Sequence, residues 1–147
     1  MQTLIEQEFP QDAELVYLNH AAVAPWPLRT AQAVKTFANE NLVTGAEHYK
    51  QWSAQEELLR GQLCRLINAP ASDDIALLKN TSEAISVVAA GIKWQPGDNI
   101  VTTNEEFPSN RIPWEAQKDK GVSLKEVAVQ LDEPEDALIA ACDNKTR

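Results

Sequence analysis

Ile75-Ala76-Leu77-Leu78-Lys79-Asn80-Thr81-Ser82-Glu83-Ala84 decides how this chain is read. A short apolar run ends at Leu78, small polar residues turn the corner, and a helix-like run, Ile85-Ser86-Val87-Val88-Ala89-Ala90-Gly91-Ile92, follows. Such a strand-to-helix corner leaves backbone N–H groups free at the positive end of a helix dipole, a ready anion site. The same residues suit an ordinary N-cap, with Thr81 or Ser82 satisfying the first donors of the helix. The corner alone does not choose between the two readings.

Outward from it, the rhythm is short strand, then helix, repeated. Strands are predicted near 75–78, 99–103 and 124–128, and helices over Ser82–Lys93, about Asn110–Lys120 and Glu133–Ala141. The connections Gln95-Pro96-Gly97-Asp98 and Lys120-Gly121 carry turn chemistry. Strands alternating with helices of this length argue an α/β fold with a parallel sheet. The helix from Ser82 is apolar on nearly every side, which predicts deep burial against that sheet. An incomplete α/β domain is therefore expected over 71–147.

Upstream the pattern differs. Pro25 and Pro27 bracket Trp26, so 1–27 reads as an extended arm with a β-like run at Leu15–Leu18. A helical segment covers 28–70, one helix from Leu28 to about Leu42 and a second from about Glu47 to Ile67. In the second, Trp52, Leu59, Leu63, Leu66 and Ile67 share one face. The chain stops after a helix, where the rhythm asks for another strand, so a piece of a larger fold is expected; a sheet closed by association is the alternative.

Composition narrows the function classes. The chain has 147 residues, 44% hydrophobic and 24% charged, the profile of a globular domain. Its 22 acidic and 13 basic residues give a net charge of −9, which repels phosphate backbones and anionic lipid, so neither nucleic acid nor membrane is an expected partner. No apolar run approaches a membrane span and the N-terminus lacks a signal-peptide pattern, which points to the cytoplasm. Cys64 and Cys142 have no metal-ligand spacing and read as small core residues; two histidines, His20 and His48, are too few for a metal cluster.

Three segments carry chemistry together: Tyr17-Leu18-Asn19-His20-Ala21-Ala22-Val23-Ala24-Pro25, Leu78–Ser86, and Val101–Trp114 with Asn104-Glu105-Glu106-Phe107-Pro108-Ser109-Asn110 at its centre. In order and content they resemble the N-terminal portion of the class V aminotransferase family of fold-type I pyridoxal-phosphate (PLP) enzymes, which includes cysteine desulfurases, selenocysteine lyases and epimerase-like enzymes. The resemblance implies that Thr81 and Ser82 hold the cofactor phosphate, with Asn80 standing where glycine is usual and a left-handed turn kept there. It places Phe107 where many members stack a histidine on the pyridine ring. A phenyl group stacks but transfers no proton, which leans away from a housekeeping cysteine desulfurase and toward the aminotransferase-like or epimerase-like branches. Without the resemblance, Phe107 reads equally as a core aromatic.

His20 and Asn19 fall in the lead-in that lines the substrate side in the family; a surface loop histidine is the plainer reading. Asn110 either bonds near the cofactor or caps the next helix. Glu83 is a first-turn carboxylate favouring the helix dipole. No catalytic residue is expected here, because the Schiff-base lysine and the acid that pairs with the pyridine nitrogen lie beyond residue 147 in the resembling enzymes. The implied protein is a PLP-dependent enzyme acting on a small amino acid, homodimeric, and inactive as these 147 residues without the remainder of its polypeptide. The alternatives are a truncated, non-catalytic copy and a fragment of a cysteine desulfurase or selenocysteine lyase. A nucleotide-binding module would need a Gly-x-Gly-x-x-Gly or Walker-type loop, which is missing.

Overall fold

The computed structural model describes residues 3–130 and 133–147, in two compact units, 1–75 and 76–147. Met1 and Gln2, the start of the expected arm, lie outside the described residues, as do Leu131 and Asp132.

In the first unit the arm is not wholly irregular. Leu4–Glu8 forms a helix, α1, closed by a capping box: the Thr3 hydroxyl accepts from Glu6 N–H, and the Glu6 carboxylate accepts from Thr3 N–H at 2.7 Å. The Arg29 guanidinium, 3.0 Å from Glu8, ties α1 to the next helix and holds the Glu8 carboxyl below its ordinary range. That helix, α2, spans Leu28–Thr44 and ends at Gly45, whose φ of 59° needs a glycine. Helix α3, Tyr49–Ile67, ends at Asn68 in the left-handed region, where Ala69 N–H returns to Cys64 O. Trp52 joins the two helices through an edge contact with Phe37 and a 3.3 Å bond from its indole N–H to Glu40. The expected apolar face of α3 is left largely uncovered within this unit, Leu66 being 78% exposed.

The predicted strand over 75–78 does not form. A 3₁₀ turn at Ser72–Asp74 takes the Ile75 N–H, and the Ile75 carbonyl accepts from the Arg60 guanidinium. Both backbone groups of Ile75 are thus taken, the N–H by the turn and the carbonyl by a side chain fifteen residues away, so Ile75 starts no ladder.

The second unit carries the sheet. Helix α4 spans Thr81–Gly91, strand β1 Asn99–Thr103, helix α5 Pro108–Glu115, strand β2 Ser123–Val127 and helix α6 Pro134–Ala141. β1 and β2 pair in parallel from Asn99↔Ser123 to Thr103↔Val127, with α5 in the crossover, as the alternating pattern predicted. On the other edge of β1, Asn99 bridges Thr146 in parallel: Asn99 N–H donates to Lys145 O and Arg147 N–H to Asn99 O. β1 is therefore flanked on both sides, and Asn99, Ile100 and Thr102 are buried.

Two turns set the start of that sheet. Gly121, at φ 79°, passes so close to Pro96 that a Cβ would sit 3.1 Å from Pro96 Cα. Asp98, fully buried, accepts from Gln95 N–H at 2.8 Å and pairs with Arg147 Nε at 3.1 Å, which holds its carboxyl below the usual range. The predicted deep burial of α4 is not found. Only Ala89 is buried, and Val87 and Val88 are each 57% exposed, because two paired strands offer too little surface to cover an all-apolar helix. Of the two thiols expected in a core, Cys64 is half-buried and Cys142 exposed.

Candidate functional site

The corner at residue 80 is built around a side-chain cap. Asn80 Oδ1 accepts from Glu83 N–H at 2.9 Å, while Glu83 Oε2 reaches back to Lys79 N–H at 2.9 Å. The cap is thus Asn80, not Thr81 or Ser82. Nor is it left-handed: at φ −165° and ψ 169° it is extended, as an N-cap must be before the chain enters the helix. Asparagine serves this corner with its side-chain oxygen, not with a tolerance of positive φ.

The cap leaves a particular pair of donors. Glu83 N–H is taken by Asn80 Oδ1 and Ala84 N–H by Asn80 O, but Thr81 N–H and Ser82 N–H have no partner among the described residues. Beside them opens a groove of about 320 Å³ between α4 and α5, lined by Ser82, Ser86, Phe107, Ser109, Ile112 and Pro113, among others. Ser82 and Ser86 are one helical turn apart on α4 and share a face. Phe107 is the residue before α5, with Pro108 at the first helical position, and its ring is 74% exposed. A core aromatic it is not.

Behind Phe107 runs a chain of polar side chains. Thr103 Oγ1 donates to Glu106 Oε1 at 3.3 Å, Asn110 Nδ2 to Glu106 Oε2 at 2.9 Å, and Trp114 Nε1 to Asn110 Oδ1 at 3.3 Å. Asn110 is therefore not a cap. The helix begins two residues earlier, after Phe107 at its N-cap, and the Asn110 side chain bonds one turn back.

His20 and Asn19 belong to the first unit. His20 Nε2 lies 3.1 Å from Tyr17 O, its ring edge-on to Tyr17, and it lines a separate cavity of about 460 Å³ with Ile5, Glu6, Phe9, Gln11, Ala24 and Pro25. The Asn19 carbonyl accepts from Ala22 and Val23 N–H, closing a turn. The structure brings Ser82 and Phe107 to one groove, with Thr81 next to Ser82 in the chain but not among the lining residues; His20 lines a different cavity and Asn19 closes a turn. Sequence reading passed over Ser86, Ser109 and the Glu106–Asn110–Trp114 chain, although the four-residue spacings of Ser82/Ser86, Glu106/Asn110 and Asn110/Trp114 were its signal. Among the described residues, no cluster of side chains could hold a metal ion, and no helix is long and apolar enough to cross a membrane.

The model of the class V aminotransferase family matches residues 16–146, nearly the whole chain. The chain belongs to that family. Among curated relatives, a probable cysteine desulfurase of Methanothermobacter thermautotrophicus is 34% identical over 127 residues, covering 84% of this chain and 32% of that protein. Cysteine desulfurase CsdA of Escherichia coli is 35% identical over 118 residues, 73% of this chain and 29% of that one. The crystal structure of CsdA superposes with a TM-score of 0.71 at 26% identity, over 89% of this chain and 35% of its own. C-DES with glycine covalently linked to its PLP cofactor gives a TM-score of 0.80 at 21% identity, over 97% and 39%, which shows the fold. This class V member has the N-terminal α/β portion of a fold-type I, PLP-dependent enzyme, and it spans about a third of the length of the curated relatives it matches.

Proposed function

We propose that the groove at the start of α4 receives the phosphate and ring of PLP, and that the whole protein acts on a small amino acid as a cytoplasmic homodimer. One observation carries the reading: the N–H groups of Thr81 and Ser82 at the α4 N-terminus are unpaired among the described residues, and Ser82 lines one groove with Phe107. Anions favour that end of a helix, and an exposed aromatic face favours a flat heterocycle. The residues present therefore fit the cofactor. The names of the relatives favour a sulfur-containing amino acid, and phenylalanine at 107 removes one titratable group from beside the ring.

When bound, PLP supplies an electron sink for carbanion chemistry at an amino acid. This chain contributes binding and orientation. Thr81 and Ser82 N–H groups donate to phosphate, each charge-assisted bond contributing on the order of 2 kcal/mol. The Phe107 ring covers one face of the pyridine and keeps water from it. Glu83, already accepting from Lys79 N–H and 3.4 Å from Lys79 Nζ, has its charge partly offset and repels the phosphate less.

The test uses proline. Thr81 is the first helical residue and Asn80 before it is extended, so Thr81→Pro deletes one N–H without disturbing the helix. Thr81→Ala removes only the hydroxyl. Fluorescence titration with PLP is expected to show Thr81→Pro weaker than Thr81→Ala by about tenfold. Equal affinities for the two variants would remove the phosphate from this corner.

A further inference from the structure

We propose that Glu106 is a positioning residue that fixes the direction of the Phe107 ring by bracing the end of β1 against the first turn of α5. The ligand used to test it rests on the PLP reading above; the ring placement is a property of the free chain.

Donors and acceptors fix the orientation of each side chain in this group. The Trp114 indole N–H can only donate, so the Asn110 atom facing it is the carbonyl oxygen. That choice turns the Asn110 NH₂ toward residue 106, which must then accept. The Glu106 carboxylate does so with one oxygen and takes the Thr103 hydroxyl with the other. The chain has one polarity throughout, and each half-buried member is satisfied.

Its ends give it leverage. Thr103 is the last residue of β1, and Asn110 is in the first turn of α5. Phe107 sits between them, and its carbonyl accepts from Asn110 N–H at 2.8 Å. Three points around residue 107 are thus held: the strand end, the helix turn and, through Pro108, the φ angle of the next residue. The ring itself is held by nothing comparable, being 74% exposed. An exposed aromatic side chain ordinarily samples several χ1 rotamers. A braced backbone narrows that choice before any ligand arrives, which lowers the ordering cost of stacking.

The polarity also predicts a rescue. Glutamine at 106 offers an amide oxygen to Asn110, and its NH₂ faces Thr103, whose hydroxyl rotates to accept. Alanine offers neither.

The experiment measures Phe107 χ1 populations by NMR couplings in the ligand-free protein, and PLP affinity by titration. In wild type and Glu106→Gln one rotamer is expected to dominate; in Glu106→Ala and in Asn110→Ala, which cuts the brace at its other end, the couplings should average. PLP affinity should fall about threefold to tenfold in Glu106→Ala and show no further fall when that change is added to Phe107→Ala. Unchanged χ1 populations in both alanine variants, or the same loss of affinity without the 107 ring, would overturn the proposal. A fixed ring in a protein that binds no PLP would leave the brace standing and remove the cofactor reading instead.

Discussion

Lys125 Nζ lies 2.6 Å from Asp143 Oδ2, and the other carboxylate oxygen of Asp143 accepts from Asn99 Nδ2 at 2.8 Å. One carboxylate thus joins β2, β1 and the segment that bridges β1 at Thr146. The Lys125 and Asn99 bonds, with Lys145 N–H, hold the Asp143 carboxyl far below its usual range. A depressed folded-state pKa gives stability that is fully present above the unfolded value, near pH 4, and is lost as pH falls below it. Urea midpoints between pH 7 and pH 2.5 are expected to fall more steeply in wild type than in Asp143→Asn. Parallel curves would show that Asp143 is not linked to folding.

The cap at α4 makes a second prediction. Asn80→Ala should cost about 1 kcal/mol of stability, because Glu83 N–H loses its acceptor, and Asn80→Asp should cost little. Asn80→Gly should cost only a few tenths of a kcal/mol relative to asparagine. Denaturant midpoints check the order, and a stabilising glycine would mean that the corner prefers positive φ after all.

Phe107 gives a third. At 74% exposure, Phe107→Ala should change stability by no more than about 0.5 kcal/mol. Phe107→His should bring a pH-dependent PLP affinity centred near pH 6.5, where imidazole titrates. Titrations at pH 5.5 and 8 on both proteins supply the comparison; a wild-type affinity varying as much as that of the histidine variant would place the titrating group elsewhere.

A fourth concerns retention. Among the described residues no lysine lines the groove, and Lys79, two residues before Thr81, is paired with Glu83. The 147-residue polypeptide should therefore bind PLP reversibly, lose it on desalting, and show no activity. A visible band that survives desalting and is fixed by borohydride to one lysine of this chain is the contrary result.

How much of this was legible in the sequence depended on where each backbone group found its partner. β1, β2, α2 and α3 followed from periodicity and turn residues, because their hydrogen bonds are made within regular ladders and helices. Ile75–Leu78 has the composition of a strand, but Arg60, fifteen residues away, takes its first carbonyl, and no local pattern encodes that. The left-handed turn expected at Asn80 and the cap weighed for Asn110 failed for one shared reason. Each side chain has two faces, and which group it meets depends on where the helix begins, the least legible boundary in any sequence. Ser82 and Phe107 were legible as a pair only through their family setting.

β2 is an edge among the described residues, its outer side unpaired while β1 is flanked on both. A free parallel edge invites another chain to add a strand. Lys125 and Glu126 stand next to each other there, and in a strand neighbours point to opposite faces. Each face of the edge therefore carries a charge, one paired to Asp143 and the other 3.4 Å from Arg111. The dry interlocking of apolar faces on which fibrils depend is blocked on both sides. The same two residues that anchor the strand keep copies of it from stacking on one another.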